Sequence, residues 1–332
     1  MNFTYDNVYI NATSTVVGPY EKKGPLGKFF DKSYKEFYFN EKSFEEAESR
    51  LIMDSVSILL DKLNMSKNSI DVQISGDLLN QISATNYAAS NLSIPLIGIY
   101  AACASSILGL IIASNMIDSK QISNCICSVS SHNLSAEKQF RYPNEYGGPK
   151  HKSTTFTCTG SASAYLSSKK SDIKVESATL GTVIEMGIND VSDMGAVMAP
   201  AAATTLYDHL KLNKRDISYY DLILTGDLGI EGKKIFKDYL NMEYGIKITN
   251  YNDCGTILYD LNNQPVYSGA SGPACLPLVS YTKIFDEMRK GKYKKVLLIA
   301  TGALHSLTMA NLKKPIPSVA HAISLEVVEC FI

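Results

Sequence analysis

Cys103 stands in the run Ala101-Ala-Cys-Ala-Ser-Ser106, between a short apolar stretch and a long uncharged one. A thiol at the start of a helix faces unpaired N–H groups and the positive end of the helix dipole, which lowers its pKa and makes it nucleophilic. The same geometry holds an anion with no chemistry at all, and a cysteine there also serves as a small buried hydrophobe. Three readings of Cys103 therefore stand side by side. Around it the sequence offers two carboxylates, Asp77 and Asp227, each closing an apolar run with Gly-Asp-Leu. Their plainer role is to cap the turn after a strand. His132 and His305 each follow a second apolar run, and Phe140, Arg141, Tyr142, Tyr146, Lys150, His151 and Lys152 crowd one segment. Arginine grips carboxylates with bidentate geometry, so His132 and Arg141 are the positive groups expected at a pocket. His305 and His321 read as core or turn histidines, and Met194 and Met198 as helix packing.

The elements that must carry these residues are written twice. Asp71-Val-Gln-Ile-Ser-Gly-Asp-Leu-Leu79 returns 150 residues later as Asp221-Leu-Ile-Leu-Thr-Gly-Asp-Leu-Gly229. A helical stretch precedes each copy (Glu45 to Asn64, Met194 to Asn213), and a second helix and strand follow it (Cys125 to Ser131, Val296 to Thr301). Self-similarity at half the chain length predicts a duplicated α/β fold, residues 1–170 and 171–332, with both Gly-Asp-Leu tips near a pseudo-twofold axis. Ile94 to Ala113 runs 20 residues without a charge, long enough to cross a bilayer. The repeat assigns it instead to a strand, Pro95 to Tyr100, and a buried helix, Ala104 to Ile117. Gly18 to Gly27 holds two prolines and three glycines and reads as a loop. Residues 133–159 show no clean periodicity and predict a long functional loop over the pocket.

Bulk composition narrows the function. With 332 residues, 45% hydrophobic and 20% charged, the chain can bury a large core. A net charge of -1 argues against nucleic-acid or anionic-membrane binding by bulk charge. Seven cysteines without CxxC spacing indicate neither a disulfide framework nor a zinc site, and imply a reducing compartment. Met1 to Ile10 lacks an apolar core, so no signal peptide is expected.

Ile94 to Ile117 resembles the nucleophile segment of the 3-oxoacyl-(acyl carrier protein) synthases of the thiolase superfamily. Asp221 to Leu228 and Ala270 to Leu278 resemble the segments that carry a catalytic histidine and asparagine in those enzymes. The aligned residues here are Gly226 and Ala270, which can neither polarise a thioester oxygen nor stabilise a carbanion. The resemblance thus implies a layered α/β/α/β/α fold of two pseudo-symmetric halves without catalysis. The alternative is an acyl-transfer enzyme using Cys103 with an unconventional base such as His132.

Longer runs resemble the stage V sporulation protein AD family: Gly24 to Asp31, Ser75 to Asn80, Ser130 to Asn133, Gln139 to Gly148, Met198 to Ala203 and Asn252 to Gly255. That resemblance implies a non-enzymatic protein binding pyridine-2,6-dicarboxylate (dipicolinic acid). It would work with the membrane proteins of the stage V sporulation A complex to move this ligand into the developing spore. It also implies a chain made in the cytoplasm and held peripherally at the spore inner membrane. No resident cofactor is implied, although calcium travels with the ligand, and a homodimer would form through Cys125 to Ser131. The ligand contacts expected are Asp77, Asn80, Cys103, His132, Arg141, Tyr142, Asp227 and Ser271, with no catalytic residue and no metal ligand.

Overall fold

The computed structural model describes residues 1–140 and 150–328. The first half runs β1 (Asn2–Thr4), β2 (Tyr9–Val17), α1 (Pro19–Lys23), β3 (Lys32–Ser33), α2 (Phe44–Leu63), β4 (Val72–Gly76) and α3 (Ser83–Leu92). It continues with β5 (Leu96–Gly98), α4 (Ser105–Asp118), β6 (Asn124–Ser131), α5 (Asn133–Phe140), β7 (Phe156–Thr157) and β8 (Gly160–Ser167). The second half opens with β9 (Ile173–Leu180), α6 (Met194–Leu212), β10 (Leu222–Thr225), α7 (Gly229–Tyr244), β11 (Tyr251–Asp253) and β12 (Ala270–Ser271). A buried helix follows, α8 (Cys275–Val279) passing through a π turn into α9 (Phe285–Arg289), then β13 (Lys295–Ala303), α10 (Leu307–Asn311) and β14 (Ser318–Val327).

Local chemistry sets the ends of these elements. Ser43 starts α2 by accepting the Glu46 N–H at 3.2 Å while Glu46 reaches back to the Lys42 N–H at 3.1 Å, a reciprocal cap. Asn64 ends the helix in the left-handed region at φ 50°. Asp193 caps α6 through the Ala196 N–H at 3.1 Å.

The strand order is β11-β10-β13-β14-β9-β2-β8-β6-β4-β5. Outward from the β9–β2 junction, β9, β14, β13, β10, β11 mirror β2, β8, β6, β4, β5. The directions repeat as well: β4 is parallel to β5 and β6, and β10 is parallel to β11 and β13. Flanked on both sides, β4 and β10 are buried along their whole length. Helix α2 covers β2, β6 and β8, α6 covers β9, β13 and β14, and α4 packs between the halves on β4, β6, β13 and β14. This is the layered α/β/α/β/α fold.

Ile94 to Ala113 divides as expected into a strand and a helix, β5 and α4, and no described helix is long and apolar enough to cross a membrane. Three expectations change. Residues 133–140 form α5 rather than loop, and five residues of the Gly18 to Gly27 stretch form α1, with Pro19 at a helix start where its missing N–H costs nothing. Cys125 to Ser131 lies in β6, which is hydrogen-bonded to β4 on one side and β8 on the other. It offers no free edge for a second copy; the edge strand of that half is β5.

Candidate functional site

Strands β4 and β10 deliver Asp77 and Asp227 to the same end of the sheet, but the two carboxylates do different work. Asp77 accepts the N–H groups of Leu79 at 2.8 Å and Thr85 at 2.7 Å, closing the turn into α3. It caps, and lines neither chamber described below. Asp227 accepts the Ser271 hydroxyl at 3.0 Å, the Gly272 N–H at 3.1 Å and the Thr301 hydroxyl at 2.5 Å. Its own turn role passes to Asp253, which takes the Leu228 and Gly229 N–H groups at 3.0 Å each. Asp227 thus ties β10, β12 and β13 together directly beneath Cys103.

Cys103 occupies the turn before α4, after Ala102 at φ 49°. That turn is pressed against the end of β13. A β-carbon on Gly302 would lie 2.3 Å from the Ala101 carbonyl oxygen, so only glycine permits the contact. The Cys103 Sγ stands 3.9 Å from the Ser271 Oγ. Burial, and then the Asp227 carboxylate, push the thiol well above its ordinary range. The helix start does not activate it. The N–H groups of Ala104 and Ser105 are spent on the Ala101 and Ala102 carbonyls, and the Ser105 hydroxyl accepts the Ala101 N–H at 2.9 Å. Of the three readings, the nucleophile is disfavoured by charge and the simple helix-end anion site by the donors already used.

A two-chamber cleft opens above Cys103. The inner chamber, about 80 Å³, is bounded by Cys103, Ser271, Thr155, Thr157, Met194 and Met198, among others. The outer one, about 490 Å³, is bounded by Asn80, Gln81, Ile99, Gln139, Ser306 and Thr308, among others. Leu78, Tyr100, Phe140 and His305 border both, so the two chambers adjoin. Burial holds the Tyr100 hydroxyl protonated, at about 12. Glu137 of α5 is also in the inner wall, where it pairs with Lys150 at 2.9 Å. The inner surface is thus largely apolar, with hydroxyls, a thiol, an imidazole and the Lys150-paired Glu137 carboxylate as its polar groups.

Of the expected contacts, Cys103, Ser271 and Asn80 border the cleft, with Asp227 beneath Ser271. Arg141 and Tyr142 lie outside the described residues; they follow directly on Phe140 of the cleft wall. His132 is corrected. Its Nε2–H donates to the Phe37 carbonyl at 2.9 Å, its Nδ1 accepts the Leu134 N–H at 3.2 Å, and Phe37, Phe39 and Phe44 surround the ring. Burial lowers its pKa to about 4, so it is a neutral core group. His305, expected as a core or turn histidine, instead borders both chambers, 5.7 Å from the Phe140 ring centroid. His321 stays in β14, where it accepts the Gly181 N–H at 3.2 Å. Met194 and Met198 also face the inner chamber. Their helical spacing gave no hint of this, because the same spacing serves packing.

Gly226 sits at the tip of β10 with room to spare. An added β-carbon would meet Ala300 and Leu276 atoms at an ordinary 3.6 Å. The fold therefore does not demand glycine there.

The chain matches the family model described as Stage V sporulation protein AD over residues 2–326. It is 45% identical over 320 residues to stage V sporulation protein AD of Bacillus subtilis (strain 168), spanning 96% of this chain and 94% of that protein. Among solved structures it is similar to 3-oxoacyl-[acyl-carrier-protein] synthase III of Aquifex aeolicus VF5, with TM-score 0.57, 12% identity, and 96% and 100% of the two chains covered. It is similar also to cerulenin-bound OleA of Xanthomonas campestris, with TM-score 0.63, 13% identity and 98% of each chain covered. At those identities the two structures speak for the thiolase-like fold alone. With a match running almost end to end, the chain belongs to the stage V sporulation protein AD family.

Proposed function

We propose that this sporulation-family protein is a non-catalytic binder of pyridine-2,6-dicarboxylate, which it holds in the two-chamber cleft. It serves the movement of that ligand into the developing spore together with the membrane proteins of the stage V sporulation A complex, from a peripheral position at the spore inner membrane. Calcium enters only with the ligand. The observation that carries the non-catalytic reading is the setting of Cys103: its Sγ stands over Ser271 and the buried Asp227 carboxylate, which disfavours a thiolate there. At the aligned catalytic positions, Gly226 and Ala270 supply no base and no oxyanion donor. Losing one such donor costs roughly 100-fold or more in rate.

A planar aromatic dicarboxylate suits a cleft walled by Tyr100 and Phe140, with hydroxyls of Ser271, Thr155 and Thr157 and the imidazole of His305 as polar partners. Arg141, one residue beyond Phe140, supplies the charge-assisted contact in this reading. Calorimetric titration with pyridine-2,6-dicarboxylate tests it, and Arg141→Ala should weaken binding by about 1.5–3 kcal/mol. Turnover of any acyl-CoA at a rate near one per second, on the order of an ordinary enzyme, would promote acyl transfer instead. Cys103 and His305 share a chamber, so that outcome is worth the assay.

A further inference from the structure

Glu48 is fully buried on α2, where its Oε1 meets the Ser130 hydroxyl at 3.0 Å and its Oε2 the Ser135 hydroxyl at 2.6 Å. A proton on Oε2 completes this arrangement. The carboxyl then donates to Ser135 Oγ, the Ser135 hydroxyl turns to the His132 carbonyl at 3.0 Å, and Ser130 donates to Oε1. An ionised Glu48 would instead face the Asp77 carboxylate, whose Leu79 and Thr85 N–H partners favour its charged form.

Among the described residues packed on α2, no free cation offsets that charge. Strands β2, β6 and β8 and helix α3 carry no Lys, Arg, His, Asp or Glu, only the phenols of Tyr9, Tyr87 and Tyr165. Helix α5 carries Lys138, held by Glu45 at 2.6 Å, and Glu137, held by Lys150 at 2.9 Å. On α2 itself Glu45 adds a like charge, and Arg50 is held by Asp54 at 3.1 Å. His132, just before α5, is neutral with both nitrogens bonded. A buried, uncompensated carboxylate is tolerated only where water can reach it.

Both walls of the cleft rest on these two acids. Ser135 belongs to α5, whose Ala136 and Phe140 border the inner chamber, and Asp77 closes the turn whose residues 78–82 border the outer one. Gln139 joins the walls: its Nε2–H donates to the Leu78 carbonyl at 2.8 Å, and its Oε1 accepts the Asn80 N–H at 2.9 Å. Helix α5 is eight residues long and outside the sheet, too short to hold its place without such contacts. We propose that Glu48 is a proton gate on the cleft: protonated, it holds α5 against the 78–82 turn, and ionised, it releases α5 and weakens dicarboxylate binding. Burial, and then the Asp77 carboxylate, place the change at about pH 8. The closed state carries one proton more than the open one, so binding is indifferent to pH below that value and takes up a proton above it. The effect on affinity rests on the ligand reading above; the movement of α5 does not.

Calorimetric titration of pyridine-2,6-dicarboxylate over roughly pH 6 to 9, into wild type and Glu48→Gln, tests the gate. The amide repeats the neutral pattern, donating to Ser135 and accepting from Ser130. Wild-type affinity should fall toward ~tenfold per unit above about pH 8, with proton uptake read from buffers of different ionisation enthalpy. The variant should lack this fall and this uptake. Other titrating groups are common to both proteins, so the difference isolates Glu48. Amide hydrogen exchange over residues 133–140 reads the gate without ligand. Relative to the intrinsic rate, protection should drop across the same range in the wild type and hold in Glu48→Gln. Ser135→Ala, which cuts the link but leaves Glu48, should lower it already at neutral pH. Parallel affinity profiles, or equal α5 protection in wild type and Glu48→Gln at every pH, would overturn the gate. Release of α5 on schedule in a protein that binds no dicarboxylate at any pH would remove the ligand reading and leave the gate.

Discussion

Replacing Glu48 with glutamine should flatten the pH dependence of stability. Glu48 lies buried on α2 and accepts the Ser130 hydroxyl at 3.0 Å and the Ser135 hydroxyl at 2.6 Å. Ser135 belongs to α5, whose Ala136, Glu137 and Phe140 border the cleft. Burial, and then the Asp77 carboxylate, push the Glu48 pKa from an ordinary 4.5 to about 8. A raised value means that the folded chain keeps a proton the unfolded chain gives up. Below pH 4.5 both states hold the proton and Glu48 costs nothing. As pH rises from there toward 8, stability should fall by about 1.4 kcal/mol per unit, and above that it should level off. The whole interval amounts to as much as ~5 kcal/mol, with about 3 kcal/mol of it lost by neutral pH. Glu48→Gln keeps the shape and one acceptor oxygen but cannot ionise. Urea unfolding across roughly pH 5 to 9 should show the wild type losing several kcal/mol more than the variant. Parallel stability curves would refute the reasoning, because Glu48 would then titrate normally and the wall of α5 would not rest on a protonated acid.

Three further outcomes follow from the same geometry. Asp227→Asn removes the charge beneath Cys103, so iodoacetamide labelling of that thiol at neutral pH, read by mass spectrometry, should become faster than in the wild type. His132→Ala empties a cage of three phenylalanines and should cost ~2–4 kcal/mol in urea unfolding, with dicarboxylate affinity unchanged in the folded fraction. His305→Ala should cost ~1.5–3 kcal/mol of dicarboxylate affinity by calorimetry if its imidazole contacts a carboxylate.

The fold was legible because burial and periodicity are local signals that the chain states twice. The Asp71 and Asp221 runs, each flanked by parallel strands, had to be buried through their whole length, and both are, even at Gln73, Ser75 and Thr225. The same symmetry misled at the histidines. His132 and His305 occupy matching places after β6 and β13, yet only long-range packing separates them. Phe37, Phe39 and Phe44 close over His132, while His305 is left beside Phe140 at the cleft. Cys103 shows a second limit. A helix start lowers a thiol pKa, but its reach is about one turn, and burial together with a carboxylate more than a hundred residues away outweighs it. Asp77 and Asp227 were indistinguishable as Gly-Asp-Leu tips. What separates them is the next acid available: Asp253 takes over the α7 cap, and nothing relieves Asp77. Met194 and Met198 could not be told from packing residues, since the cleft they face is assembled from both halves of the chain.

Isothermal titration of pyridine-2,6-dicarboxylate into the wild type and into Cys103→Arg tests the central proposal most directly. The arginine would fill the inner chamber while leaving the sheet untouched, so saturable binding by the wild type and its loss in a folded variant are the expected results. Equal affinity in both proteins would contradict the account: the ligand would lie elsewhere, and the cleft at Cys103 would be a remnant of a condensing-enzyme fold.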